Sequence, residues 1–313
     1  MQRRSAVTAR KIVVFGGSGF LGSHVADCLS DSGYQVVVFD TRQSPYLRDD
    51  QQMVVGDITD LEQALDVAKG ALALYNFAAL ADIDKAHDQP VKTVEVNVLG
   101  AVTLLEAARL AKVERFVFAS SVYVFSEAGS FYRASKQAAE RFVETYHSRY
   151  DLDYTVLRYG SLYGPRADPN NGMFRMLQQA IAKNCITYGG DGEAVREYIH
   201  VTDAARLSVQ ILERKYANRH LVLTGTERMR VRDVMQMIAE ILPGDVELKF
   251  ERGNPISHYT MTPYAYQPNI GHKLVGTDFV DLGQGLLECI SDLQKHQGFD
   301  ASDQSRANLP EID

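Results

Sequence analysis

The sequence predicts an α/β protein in which a doubly wound parallel sheet is followed by a smaller α/β unit toward the C-terminus. Three observations carry this expectation. Short runs rich in Val, Ile and Phe recur before residue 160. They read apolar on both faces, as strands covered by helices on either side must. The stretches between them space their apolar residues as amphipathic helices do.

Taken in order, the expected strands are Lys11–Phe15, Gln35–Phe39, Gln52–Val55, Ala73–Phe77, Arg115–Ala119 and Tyr154–Arg158. The intervening helical stretches are Ser23–Ser32, Val91–Ala111 and Phe131–Tyr150, the last marked by Ala138, Phe142, Val143 and Tyr146 on one face. After Arg158 the texture changes. Tyr163-Gly164-Pro165 and Asp168-Pro169-Asn170-Asn171-Gly172 break the pattern, Met173–Lys183 reads as a helix, and Gly189-Gly190-Asp191-Gly192 reads as a turn. Arg232–Ile241 reads as a further helix, and Gly253–Gly271, with three prolines, as irregular chain. The expected division is a first domain of residues 1–162, to which 197–225 returns, and a second built from 163–196 and 226–313.

Bulk properties narrow the function. The chain has 313 residues, 45% of them hydrophobic, enough to bury a large core. Its formal net charge is -7, with no basic tract beyond Gln2-Arg3-Arg4, which argues against nucleic acid as a partner. Cys28, Cys185 and Cys289 are odd in number and far apart, so they read as packing residues in a reducing compartment, with no metal site. No apolar run approaches the roughly 20 residues that span a bilayer. The expected location is the cytoplasm; residues 1–10 read as a tail, or alternatively as a very short organellar presequence.

Strand Lys11–Phe15 runs straight into Gly16-Gly17-Ser18-Gly19-Phe20-Leu21-Gly22 and then a helix. Glycines at 16, 19 and 22 in that setting allow a tight turn, close approach of backbone to a pyrophosphate, and close packing of helix on strand, while free amides at the helix start attract the anion. The second strand leads to Asp40, 18 residues after Gly22, where a carboxylate accepts from both ribose hydroxyls and so favours NAD over NADP. Arg42 keeps NADP open as an alternative, and Asp40 as a plain turn cap is another. Asp57-Ile58, after the third strand, stands where an adenine edge would lie.

The strand Arg115–Ala119 ends in Ser120-Ser121, and 11 residues past Ser121 stands Tyr132, with Lys136 four further on. On a helix the two share a face. A tyrosine titrates near pH 10, but an adjacent ammonium and a positively charged nicotinamide favour the phenolate, making Tyr132 a base. With 16 tyrosines the spacing alone is weak, and its place after a phosphate loop and a serine-tipped strand carries the weight. The competing reading makes Tyr132 a surface aromatic and Lys136 a solvated lysine.

These residues, with Leu157-Arg158-Tyr159-Gly160-Ser161-Leu162-Tyr163-Gly164-Pro165-Arg166 and Arg196-Glu197-Tyr198-Ile199-His200-Val201-Thr202-Asp203, resemble the extended short-chain dehydrogenase/reductases, and within them the nucleotide-sugar epimerase/dehydratase group. The likeness runs in order from Lys11 to Asp203. It implies a Rossmann-type domain holding NAD through Gly16, Gly19, Phe20, Leu21, Gly22, Asp40, Asp57, Ile58, Ala78, Ala79, Asn97 and Lys136. It implies a C-terminal domain clamping a nucleotide sugar, and dimerisation through two long helices. Ser121, Tyr132 and Lys136 take the family's catalytic roles, with Ser121 and Tyr132 touching the sugar. Asn97 matches an asparagine that stabilises the site, Arg196 an arginine that meets the substrate diphosphate, and Arg252 a second phosphate arginine.

The chain departs from that pattern in three places. Asn76-Phe77-Ala78-Ala79 replaces a His-x-Ala-Ala, Ser161 replaces a substrate-contacting asparagine, and the segment from Ser121 to Tyr132 is much shorter than usual. Val122-Tyr123 stands where 4,6-dehydratases of the family carry an acidic pair, which speaks against dehydration. The resemblance therefore implies NAD-dependent epimerisation of a nucleotide-activated sugar, at C4, through a transient keto sugar. The alternatives are a nucleotide-sugar 4-ketoreductase or dehydrogenase and, from another class, a non-catalytic reader of NAD or of a nucleotide sugar.

Overall fold

The six strands expected from the sequence all form, and in the computed structural model, which describes residues 10–225 and 228–251, a seventh joins them. The strands are β1 (Lys11–Phe15), β2 (Gln35–Asp40), β3 (Gln51–Val55), β4 (Ala71–Asn76), β5 (Arg115–Ser121), β6 (Tyr154–Tyr159), β7 (Ser161–Tyr163), β8 (Cys185–Gly189), β9 (Val195–His200), β10 (Arg219–Leu223), β11 (Arg228–Arg230) and β12 (Glu247–Glu251). The helices are α1 (Phe20–Asp31), α2 (Leu61–Ala68), α3 (Ile83–Asp88), α4 (Pro90–Val94), α5 (Gly100–Leu110), α6 (Ser130–Tyr150), α7 (Gly172–Lys183), α8 (Val201–Gln210) and α9 (Val231–Ile241).

The large sheet runs β10-β6-β5-β4-β1-β2-β3 with every neighbouring pair parallel. Alternate side chains of its strands feed two cores. Val13, Phe15, Leu74, Phe116 and Phe118 pack toward α5 and α6, whereas Ile12, Val14, Tyr75, Val117 and Leu157 pack toward α1 and α8. Both faces are dry, which is why these strands read as continuous apolar runs. The strand order reverses between β1 and β4, whose ends meet at Phe15 and Asn76. In a doubly wound sheet that reversal opens the crevice in which ligands bind.

Two small sheets, β11-β9-β7 and β12-β8, and a third core of Met176, Ile186, Val234, Met235 and Ile238 lie beyond β6 in the sequence. None of β7 to β12 was anticipated. They are three to six residues long and mostly half-exposed, so they carry neither a continuous apolar run nor a clean alternation. Val91–Ala111, expected as one helix, is instead α4, a π-helical turn over Glu95–Leu99, and α5. Among the described residues, no helix is long and apolar enough to cross a membrane and no His, Cys, Asp or Glu cluster is arranged to hold a metal. Cys28 packs half-buried against the core, and Cys185 is half-buried at the start of β8. Cys289, Arg252 and Gly253–Gly271 lie outside the described residues.

Candidate active site

The phosphate loop is shaped chiefly by close contact, with Ser18 also tied to the end of β2 through its amide to Asp40 and its hydroxyl to the Arg42 carbonyl. Gly16 has φ +77°, and a Cβ there would lie 2.5 Å from the Ala78 amide nitrogen. A Cβ on Gly22 would drive into the Gly16 carbonyl. Both glycines are therefore demanded by the protein's own packing. Gly19 is different. Its φ is -84°, open to any residue, and a Cβ would meet only the Gly16 carbonyl oxygen, at 3.3 Å. It is the N-cap of α1 and no side chain caps that helix, so the first-turn amides of Phe20, Leu21 and Gly22 are left without a capping side chain. A diphosphate fits this cradle: the missing Cβ leaves it room and the helix start supplies donors.

Asp40 ends β2 half-buried and accepts from the Ser18 amide at 3.0 Å, which ties its carboxylate to the loop. Asp57 accepts from the amide and hydroxyl of Thr59, and these bonds hold its carboxyl below the usual range. Ile58 is buried against Gly100, where a Cβ would overlap its side chain.

Asn97 joins this half of the cleft to the other. It sits in the π-helical turn, 2% exposed, and accepts from the Leu80 amide at 2.7 Å while donating to the Leu80 carbonyl at 3.1 Å. It also donates to Ser135 Oγ at 2.9 Å, and Ser135 in turn donates to the Tyr132 carbonyl at 2.7 Å. One amide thus secures the Ala78-Ala79-Leu80 segment, which flanks Gly16, to the helix that carries Tyr132 and Lys136. A π turn at such a place is common, because its extra residue turns a side chain inward.

Ser121, Tyr132 and Lys136 are brought together. All three are buried, and the Ser121 and Tyr132 side chains are hydrogen-bonded. Burial pushes the Tyr132 phenol up to about 12, against the Ser121 bond that pulls it down. Burial pushes the Lys136 ammonium down to about 8, against the attraction of Glu140. Its Nζ donates to the Ala119 carbonyl at 2.8 Å and lies 5.8 Å from the Tyr132 ring centroid. Desolvation therefore dominates at Tyr132, and positive charge placed beside the ring would favour its phenolate.

The short segment between Ser121 and Tyr132 is a single 3₁₀ turn, Val122–Phe125, followed by Gly129 at φ +99°. Gln137 and Arg133 of α6 bind it back through the carbonyls of Val124 and Ser126. Tyr123 projects from this turn edge-on to Tyr132, ring centroids 6.3 Å apart, and lines a cavity of about 520 Å³ with Ser161, Leu162, Tyr188, Arg196 and Tyr198. Ser161 and Arg196, both expected to face substrate, thus share one cavity, and Tyr123 connects it to Tyr132. Sequence reading missed Tyr123, Ser135 and Glu140. The last was findable, since it falls one helical turn beyond Lys136 on the same face.

A glycine cradle at the reversal point of a parallel sheet, joined to a buried Ser–Tyr–Lys cluster, belongs to a dinucleotide-dependent enzyme of the Rossmann class. Residues 12–224 match the NAD dependent epimerase/dehydratase family, and the chain belongs to that family, whose cofactor is NAD. The UDP-glucose 4-epimerase of Corynebacterium glutamicum is 28% identical over 265 residues, spanning 74% of this chain and 80% of its own. Among solved structures, the UDP-glucose 4-epimerase of Thermotoga maritima with UDP-glucose superposes with a TM-score of 0.76 at 26% identity, covering 82% of this chain and 90% of that one. The Thermus thermophilus UDP-glucose 4-epimerase with NAD gives 0.73 at 26%, covering 84% and 95%.

Proposed function

We propose that the protein inverts C4 of a nucleotide-activated sugar by oxidising it to a keto sugar and reducing it again. The observation that carries this reading is the buried Ser121–Tyr132–Lys136 cluster packed beside Tyr123, which itself lines the cavity shared by Ser161 and Arg196. NAD, when bound, supplies the hydride acceptor for the first half of the cycle, its reduced form the donor for the second, and its nicotinamide the positive charge the phenolate needs. Gly16, Gly19 and Gly22 with the first turn of α1 hold its diphosphate, Asp40 its ribose, and Asp57 and Ile58 flank its adenine. Tyr132 takes the proton of the C4 hydroxyl and returns it, Ser121 hydrogen-bonds the same oxygen, and Lys136 supports the phenolate electrostatically. Arg196, with Arg252, neutralises the substrate diphosphate.

On this reading 1–162 with 197–225 carries the cofactor, and 163–196 with 226–313 clamps the nucleotide. Val91, Val94, Leu99, Phe131 and Phe142 are exposed apolar residues on α4 to α6, and they support a homodimer built on that face. The test is to incubate the purified chain with UDP-glucose, UDP-N-acetylglucosamine and UDP-glucuronic acid in turn and follow the sugar by proton NMR. Nucleotides released on denaturation are identified in parallel by mass spectrometry. Appearance of the C4 epimer with NAD released intact supports the reading. Stoichiometric reduced cofactor with no epimer, for every sugar, overturns it.

A further inference from the structure

Glu140 takes no part in the chemistry above, yet it is 6% exposed and sits one helical turn beyond Lys136 on the inward face of α6. A carboxylate that deep needs partners. Three elements provide them. From β5, Ser120 donates to Oε1 at 2.5 Å; from β6, Arg158 donates to Oε1 at 3.0 Å and Oε2 at 2.6 Å. From β10, His220 places Nδ1 2.9 Å from Arg158 Nη2 and 3.6 Å from Glu140 Oε2, while its Nε2 lies 3.1 Å from Glu144. Burial pushes the Glu140 carboxyl up, but His220, Arg158 and Ser120 reverse this and hold it at about 2, so it is an anion at any working pH.

As a staple alone, a buried Glu–Arg pair contributes little that apolar residues would not. Its placement says more. Ser120 immediately precedes Ser121, so the carboxylate anchors the strand end that presents the substrate-facing serine. Lys136 has three N–H donors, and what holds it is the Ala119 carbonyl at 2.8 Å and the Phe118 ring at 4.9 Å, both uncharged. Tyr132 and Glu140 are the titratable groups of α6 beside it, and Glu140 is the anion that acts on it electrostatically.

We propose that Glu140 is a positioning residue for the reaction, locking the Ser120-Ser121 strand end against α6 while supplying the counter-charge for the Lys136 ammonium. The inference rests on the reading above for what Ser121 and Lys136 do. It takes the buried charge past its structural use and gives it an effect on turnover through two other side chains.

The experiment titrates Lys136 in the cofactor-free full chain by carbon NMR of labelled lysine Cε, the resonance assigned with Lys136→Arg. Glu140→Gln should lower the titration midpoint by roughly one pH unit. Glu140→Asp should restore most of it. Because Glu140→Gln strands the Arg158 guanidinium, whose charge would itself lower the Lys136 midpoint, the double variant Glu140→Gln/Arg158→Gln is measured beside it and should show a smaller fall in the same direction. In active protein the alkaline limb of kcat/KM should move down with the midpoint. A midpoint unmoved in both charge-removing variants overturns the proposal. A midpoint that falls in a protein that epimerises no nucleotide sugar leaves the Glu140–Lys136 coupling standing and removes the functional reading instead.

Discussion

The phosphate loop and the inner face of α6 are joined through Ala78, Leu80 and Asn97, yet they are held by different physics. The loop is shaped by excluded volume, since Gly16 and Gly22 are required by atoms a Cβ would strike. The α6 face is shaped by charge and desolvation, with Tyr132 pushed up, Lys136 pushed down and Glu140 held low within two helical turns. A steric site is indifferent to pH and intolerant of added atoms. An electrostatic site tolerates isosteric change but responds to every proton and charge nearby.

The largest effect that separates the two belongs to Tyr132. Tyr132→Phe keeps the ring and removes the proton acceptor, so epimerisation should fall by about 10³-fold while NAD remains bound. Turnover within tenfold of the parent would remove Tyr132 as the base. Next comes Lys136. Its folded value of about 8 lies below its ordinary 10.5, so between those pH values the unfolded chain binds a proton the folded one has released. Stability must therefore rise with pH across that window, by ~3 kcal/mol at most. Tyr132, raised to about 12, works against this only above about pH 10. Urea unfolding of the cofactor-free protein from pH 8 to 10 should show the rise, and Lys136→Met should remove most of it, with Lys11, also lowered by burial, adding to the remainder and Cys28, raised by burial, opposing it.

Asn97 tests the joint. Asn97→Ala leaves the Leu80 amide and Ser135 without their partner, which should cost about 2 kcal/mol of stability. It should lower kcat and NAD affinity together, because the residue serves both halves; loss of only one would show that the halves are independent. The smallest effect on the fold, and the sharpest on the loop, is expected of Gly19→Ala. That Cβ would meet only the Gly16 carbonyl, a tight contact that a small shift of the loop relieves, so unfolding free energy should change by less than about 1 kcal/mol. NAD affinity, read by calorimetry, should fall about tenfold or more as the methyl enters the diphosphate cradle. Unchanged affinity would show that the cradle lies elsewhere.

This contrast also explains what was legible in the sequence. Steric and periodic features are local: strands β1 to β6 were placed to within a few residues, and the glycine loop was read from its spacing together with its place between strand and helix. Tyr132 and Lys136 were readable because their four-residue spacing falls on a helix downstream of the glycine loop and the serine-tipped strand. The long-range contacts that hold this cluster were not. Glu140 meets Arg158 18 positions away and His220 80 away, and Asn97 meets Ser135 across 38. Nothing in local spacing encodes such pairings, since they exist only once β5, β6 and β10 lie side by side. Beyond β6 the strands were invisible because they are half-exposed, so neither a continuous nor an alternating apolar run could form.

The π-helical turn at Glu95–Leu99 amounts to one residue inserted into an otherwise regular helix. Each residue advances a helix by about 100°, so α4 and α5 are out of phase, and Asn97 occupies the point where the register slips. Deleting a single residue between Val94 and Gly100 would relax the slip, rotate Asn97 off Leu80 and carry Val91 and Val94 about a quarter of the way round relative to Leu104 and Leu105. In this segment length is as constrained as identity, and a relative that keeps the asparagine but lacks the extra residue would have to hold its cleft together by other means.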